Sequence, residues 1–308
     1  MKTNLLKISM MLLAVFALSL TSCKKDKDTD PADPSSLQQL SRDEEFVEAA
    51  TDESMNDVEM VMSQGDLKST TMLPCNATVD SVVVANDTMV IYITYNGNNC
   101  NNTRFRTGQV EIRKRVGTHW FMPGAAVIVK HINFAITRIA TNKTIVLNGV
   151  KIHRNVTGGV IWQLGNGVES IVHRTRGHVT VTFEDSTFKT WNIARQRTYT
   201  GVPPQNLVIT TDGFGEAGNL NNLTVWGLNR QGERFYTQII QPVVIRQACD
   251  WDPVAGIKKH AIPDDSKSAT LTFGFNSQNQ PVTGNECPTK YKLDWVRHNQ
   301  SGTVYLWL

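Results

Sequence analysis

Val82-Val83-Val84-Ala85-Asn86-Asp87-Thr88-Met89-Val90-Ile91-Tyr92-Ile93 decides the fold class. Two runs of β-branched and aromatic residues flank Ala85-Asn86-Asp87-Thr88, a turn signal, so the stretch reads as two strands. From about Ala77 the same period of two persists to the end of the chain. Thr107 to Arg113, Ala126 to Thr137, Thr144 to Ile152, His178 to Glu184, Thr190 to Thr200 and Leu223 to Leu228 read as strands, as do Phe235 to Arg246, Ala269 to Phe275, Tyr291 to Val296 and Val304 to Leu308. Turn chemistry bounds several of them, as at Arg230-Gln231-Gly232, and Leu147-Asn148-Gly149 is a candidate to split its stretch into a hairpin. More than ten strands behind one helix predict an all-β body: an antiparallel β-sandwich first, or a long sheet folded over itself.

The helix precedes the strands. From Leu37 to Gln64 helix formers dominate, with Phe46, Ala50, Met55, Val58 and Met62 along one side and Gly65 as its stop. Its acidic face is expected to be solvated. Charge is divided unevenly along the chain: Lys24 to Asp66 holds 13 acidic residues against 4 basic, net −9, while Leu67 to Leu308 holds 25 basic against 15 acidic, net +10. Either the body meets an anionic surface or the acidic arm folds back and neutralises it.

The start of the chain reads as an export signal. Met1, Lys2 and Lys7 form a cationic region before an apolar run from Ile8 to Leu20, too short for a bilayer span, which needs about 20 residues. Leu20-Thr21-Ser22-Cys23 resembles the lipobox of bacterial lipoproteins, which implies that Cys23 carries the lipid and that acyl chains anchor the protein. The expected organisation is a signal peptide over 1–22, a flexible tether over 23–36, an acidic helical segment over 37–65 and a β-rich domain over 70–308. Lys24-Lys25-Asp26-Lys27-Asp28 loosely resembles the export tags of Bacteroidota surface lipoproteins. The expected location is the outer membrane, at the cell surface or on the periplasmic face.

Cys75, Cys100, Cys249 and Cys287 form an even set in an exported chain, which suggests two disulfides. Of three connectivities the sequence-local one, Cys75 to Cys100 and Cys249 to Cys287, is favoured because each pair brackets strand-like sequence. No spacing suits zinc, and no metal or cofactor is expected.

Several motifs look familiar together: Gly97 to Cys100 followed by Arg106-Thr107-Gly108-Gln109-Val110, the run Trp191 to Thr200, Cys249-Asp250-Trp251 with Gly256, and Gly284 to Cys287. They resemble a family of Bacteroidota lipoproteins without an assigned function. The resemblance spans roughly Cys75 to Leu308 and implies an exported β-rich domain with the same disulfide pairing.

Catalytic signatures are missing. The chain has no Gly-x-Ser-x-Gly elbow, HExxH, Walker loop or dinucleotide fingerprint. Ser186-Thr187-Phe188-Lys189 fits SxxK but falls at a turn between strands. Glu169, Glu184, Asp185, Asp212 and Glu216 are the central carboxylates that a glycosidase pair would draw on. His173 and His178, five apart in a strand, face opposite ways. Asp250, Asp252, Asp264 and Asp265 could gather around calcium, yet such loops more often solvate a turn.

The basic clusters are the best functional lead. Arg104, Arg106, Arg113, Lys114 and Arg115 form one, and Arg174, Arg176, Arg195 and Arg197 form another on an expected hairpin around Asp185, with Trp191 and Tyr199 beside them to stack on a ligand. Register decides what they form. Pairing Phe183 with Phe188 sets Arg176 opposite Arg195 and Arg174 opposite Arg197 on one face, a like-charge arrangement that needs an anion or water. A slip by one pairs Val179 with Ile193 and Val181 with Trp191, disperses the arginines to two faces and satisfies hydrophobic alignment.

These readings lead to a noncatalytic, lipid-anchored envelope protein that binds a glycan or protein partner. Its rivals are a secreted hydrolase with a carboxylate pair and a structural subunit docking through the acidic helix. Its expected partners are the membrane through the lipid, and an anionic glycan or envelope protein. Nucleic acid is not expected.

Overall fold

The computed structural model describes residues 35–63, 73–203 and 205–308. Cys23, the leader, the tether up to residue 34 and Gly65 lie outside the described residues. Among the described residues one α-helix, α1 (Ser35–Ser63), is followed by fifteen strands. These are β1 (Ala77–Ala85), β2 (Thr88–Asn98), β3 (Arg104–Arg115), β4 (Ala126–Arg138), β5 (Lys143–Asn155), β6 (Ile171–Phe183), β7 (Phe188–Val202) and β8 (Asn206–Gly213). The rest are β9 (Gly215–Ala217), β10 (Leu220–Leu228), β11 (Arg234–Arg246), β12 (Pro253–Ile262), β13 (Lys267–Phe275), β14 (Lys290–Arg297) and β15 (Gln300–Trp307). The body is all-β with one N-terminal helix. Of the two arrangements expected, the described strands form one connected sheet.

Neighbours follow chain order from β1 to β7 and from β10 to β15, all antiparallel. The one departure is central: β7 pairs with β10 through residues 190–193 and with β8 through residues 195–202, and β11 spans the same two partners. The opening hairpin turns at Asn86 (φ 48°) and Asp87 (φ 62°), both left-handed, as a two-residue type I′ loop requires. Both disulfides form with the sequence-local pairing, Cys75 to Cys100 and Cys249 to Cys287.

β5 runs unbroken through Leu147-Asn148-Gly149, against the expected split. A Cβ on Gly149 would meet the His178 carbonyl oxygen at 2.3 Å, and Asn148 Oδ1 accepts a hydrogen bond from the Asn133 amide at 2.8 Å. Asn133 lies where the β4 register shifts between His131 and Phe134. The Asn-Gly pair thus serves a bulge and a close strand approach.

The sheet curls around α1: the helix reaches Arg106 of β3 and also Tyr291 of β14, whose hydroxyl meets that of Ser41 at 3.4 Å. The apolar positions read from the sequence are all buried, together with Leu37, Leu40, Val47 and Val61, in one core with β2 to β7 and β10 to β14. Each large apolar side chain so buried contributes about 1.5–3 kcal/mol. The acidic face, expected to be solvated, is instead enclosed: Glu44, Asp57 and Glu59 are buried. The reason is that the sheet face against them is cationic. Helix and sheet together form one compact unit, Pro34–Leu308.

Candidate functional site

Strand alternation sends residues of β3, β7 and β12 alternately toward α1 and away from it. The inward set is basic, and α1 supplies a carboxylate to each member. Arg104 pairs with Glu53, and Arg106 with Asp57 at 2.5 Å and Glu53 at 3.3 Å. Lys189 pairs with Glu44, whose other oxygen accepts a hydrogen bond from Trp191 Nε1 at 3.0 Å. Arg195 and Arg197 share Asp52, the former at 2.8 Å, and Lys258 meets Glu48 at 2.6 Å. Burial alone would raise the Glu48 carboxyl, but Arg195 and Lys258 outweigh it and hold the group well below the usual carboxylate range. Of the acidic arm, α1 lies against the sheet and neutralises its inward cations.

This divides the six residues read as one ligand site. Trp191, Arg195, Arg197 and Tyr199 face α1 and are buried, whereas Arg174 and Arg176 are exposed on the other face. The register explains it. β6 and β7 pair Val179 with Trp191, and the hairpin closes at Thr182 and Phe188. Asp185 accepts a hydrogen bond from the Thr187 amide there at 3.0 Å, with Ser186 at φ 64°. Neither register weighed from the sequence is the one formed. The observed one differs by two residues from the apolar alignment, so it keeps that alignment's dispersal of the arginines to two faces.

The outer face carries cations that α1 cannot reach. Arg154 of β5 stands directly opposite Arg174 of β6, and Arg176 lies two residues along, all three exposed. Arg174 donates Nε to Gln196 Oε1 at 2.8 Å, and both Arg174 and Arg176 cover the Phe214 ring, at 5.3 and 4.7 Å from its centroid. A cross-strand row runs Arg113, Ile128, Ile152, Arg176, and beside it Lys130, Val150, His178. Glu111 lies under Arg113 as its partner. Like charges directly opposite one another cost stability, and here no ion pair with a carboxylate offsets Arg154 against Arg174 among the described residues. Sequence reasoning named Arg113 in a separate cluster and missed Arg154 and Lys130, because only cross-strand pairing joins the three to Arg174 and Arg176.

Other candidates separate. Ser186 is an exposed turn residue, while Lys189 is buried on Glu44. Asp185 is spent on its turn and on Arg230, Asp264 on Arg234, and Asp265 on Lys267. Glu169, Glu184 and Glu216 are exposed, and Asp212 half-buried. His173 faces α1 and His178 faces out.

One group of three metal-ligating side chains exists among the described residues: Glu59, His153 and His173, with their ligand atoms within 4.8 Å of one another. Sequence analysis expected no metal site, and nothing local marks this one. Glu59 Oε1 lies 3.0 Å from His153 Nε2 and 2.7 Å from His173 Nδ1, and His153 Nδ1 is 2.9 Å from Thr175 Oγ1. Trp120 stacks on His153 at 5.0 Å. Ligand atoms around tetrahedral zinc stand about 3.3 Å apart, given bonds of about 2.05 Å. The shorter contacts here tie helix to sheet, and Lys151 beside His153 disfavours a further cation.

The molecule is thus defined as a single curled antiparallel sheet closed over its own acidic helix, with a basic outer face. Comparison with known protein families, curated proteins and solved structures finds no match.

Proposed function

We propose that this is a noncatalytic, lipid-anchored protein of the cell envelope that binds an anionic glycan through the outer face of β4 to β7. The observation that carries this reading is the exposed trio Arg154, Arg174 and Arg176, with like charges opposed across β5 and β6. An acid group between them would relieve that repulsion and accept forked hydrogen bonds. The cations lie in rows across neighbouring strands, which suits an extended chain of uronate or phosphate groups better than a single small ligand. The leader, the lipobox resemblance and the two disulfides support an exported, oxidising setting. The hydrolase reading has less support, since of the central carboxylates Glu169, Glu184 and Glu216 are exposed and Asp185 is held by Arg230, which leaves the half-buried Asp212 without a partner carboxylate among them. An acidic protein segment is the second reading, favoured by the exposed Ile128 and Ile152 among the cations.

The test is binding of a polyuronate to the lipid-free domain at rising salt. Wild type is expected to bind with an affinity that falls steeply with ionic strength, and Arg154→Glu with Arg176→Glu to lose at least about tenfold. Unchanged affinity in that variant, or binding indifferent to salt, removes this face from the account.

A further inference from the structure

Between α1 and the inner faces of β5, β6 and β7 lies a cavity of about 20 Å³, lined by Lys151, Arg195, Arg197, Asp52 and Thr175 among others. Three cationic side chains that line it carry buried donors that make no hydrogen bond among the described residues, Lys151 Nζ, Arg195 Nη2 and Arg197 Nε, of which Arg195 Nη2 alone has a carboxylate oxygen nearby, Glu48 Oε1 at 3.5 Å. Lys151 is 1% exposed. A buried donor without a hydrogen bond is destabilising, and a charged one more so, so three around one cavity call for a common acceptor.

The neighbouring carboxylates are already committed. Asp52 gives one oxygen to Arg195 and the other to Arg197. Glu48 gives Oε2 to Lys258 and lies 3.5 Å from Arg195 Nη2 through Oε1. Burial, with Arg195 and Arg197 nearby, pushes Lys151 down to about 7; with Lys151 protonated, it stands with Arg195, Arg197 and Lys258 against two carboxylates, an excess of two positive charges. The room is that of one water-sized occupant, since a water needs about 10–15 Å³ on this measure. A water has two lone pairs for three donors and brings no charge, and its own protons would then need acceptors. A monatomic anion accepts from any number of donors and removes half the excess.

We propose that this cavity is a binding site for a single halide ion, chloride in the cell, which locks α1 onto β5 and β7. Lys151 supplies its charge there, and Arg195 and Arg197 serve the ion and Asp52 together. The site is distinct from the outer arginine face and stands or falls independently of it.

Thermal unfolding of the lipid-free protein at constant ionic strength, with chloride replaced stepwise by gluconate, gives the first readout. Chloride is expected to raise the midpoint saturably, by about 2–4 °C. Lys151→Met, which removes the unpaired charge, is expected to fold and to lose the chloride response. A bromide-soaked crystal of the wild-type protein provides the second, with an anomalous peak expected between Lys151 Nζ and the two guanidinium groups. A midpoint indifferent to chloride, a response that survives in Lys151→Met, or a bromide map with no peak in the cavity would each overturn the assignment.

Discussion

The two faces of the sheet at β6 and β7 are made of the same residue type and have opposite fates. Inside, Arg195 and Arg197 are buried on Asp52, while outside, Arg174 and Arg176 are exposed over Phe214. What differs is the partner. The inner arginines meet a helix that carries a carboxylate at nearly every turn. The outer ones meet one another and Arg154. Inward charge therefore serves folding, and only outward charge is left for a ligand. A net charge of +3 conceals both arrangements.

The comparison breaks most visibly at the inner face. Glu44→Ala strands Lys189 without its carboxylate in the core, and is expected to cost about 3–5 kcal/mol in denaturant unfolding. Replacing the pair together, Glu44→Leu with Lys189→Met, should recover most of that loss, because the charge and its partner leave at once. A double variant as unstable as the single one would show that Glu44 acts through something other than the pair.

A gentler contrast follows from single arginines. Arg197→Ala is expected to destabilise by about 2–4 kcal/mol, leaving Asp52 with one partner, whereas Arg176→Ala should stay within about 0.5 kcal/mol. Equal effects would erase the distinction between the faces.

In pH dependence opposing contributions partly cancel, so the net effect is reduced. Burial, with Lys258 and Lys189 nearby, pushes the inward-facing His260 down to about 3. The folded state then holds this proton more weakly than the unfolded state, so stability falls as pH drops from about 6.5 to 3. Glu48, held low by Arg195 and Lys258, and Glu59, held low by His173 and His153, add losses below about pH 4.5. Asp43 and Asp57, each raised by burial to about 6, work the other way between about 6 and 3.8. His260→Gln should flatten the decline between pH 6.5 and 3, while His178→Gln on the outer face serves as the control. An unchanged slope in His260→Gln would contradict a buried, neutral imidazole.

The sequence was legible where burial is apolar. Val82 to Ile93 announced its hairpin, the helix its apolar side, and the cysteines their pairing. It was hard to read where the interior is ionic. β12 escaped notice because its inward residues include Lys258 and His260, so alternation is written there in cations that face an acidic helix. The same is true of the first half of β6, where His173 points in beside outward Arg174 and Arg176. β8 is short, and β9 shorter still. The acidic face of α1 was misread for a related reason: its partners lie 49 to 210 residues away, and no local pattern announces them. Glu59, His153 and His173 meet only through the fold.

Native-state hydrogen exchange of the α1 amides tests the central claim, that the helix is the interior of the β-body and not a detachable arm. Amides from Val47 to Val58 are expected to exchange as slowly as those of β5 to β7, through global unfolding alone. Exchange about a hundredfold faster in α1 than in those strands would mean that the helix leaves the sheet while the sheet stays folded. The inner cations would then be open to other ligands, and the account of two faces would be wrong.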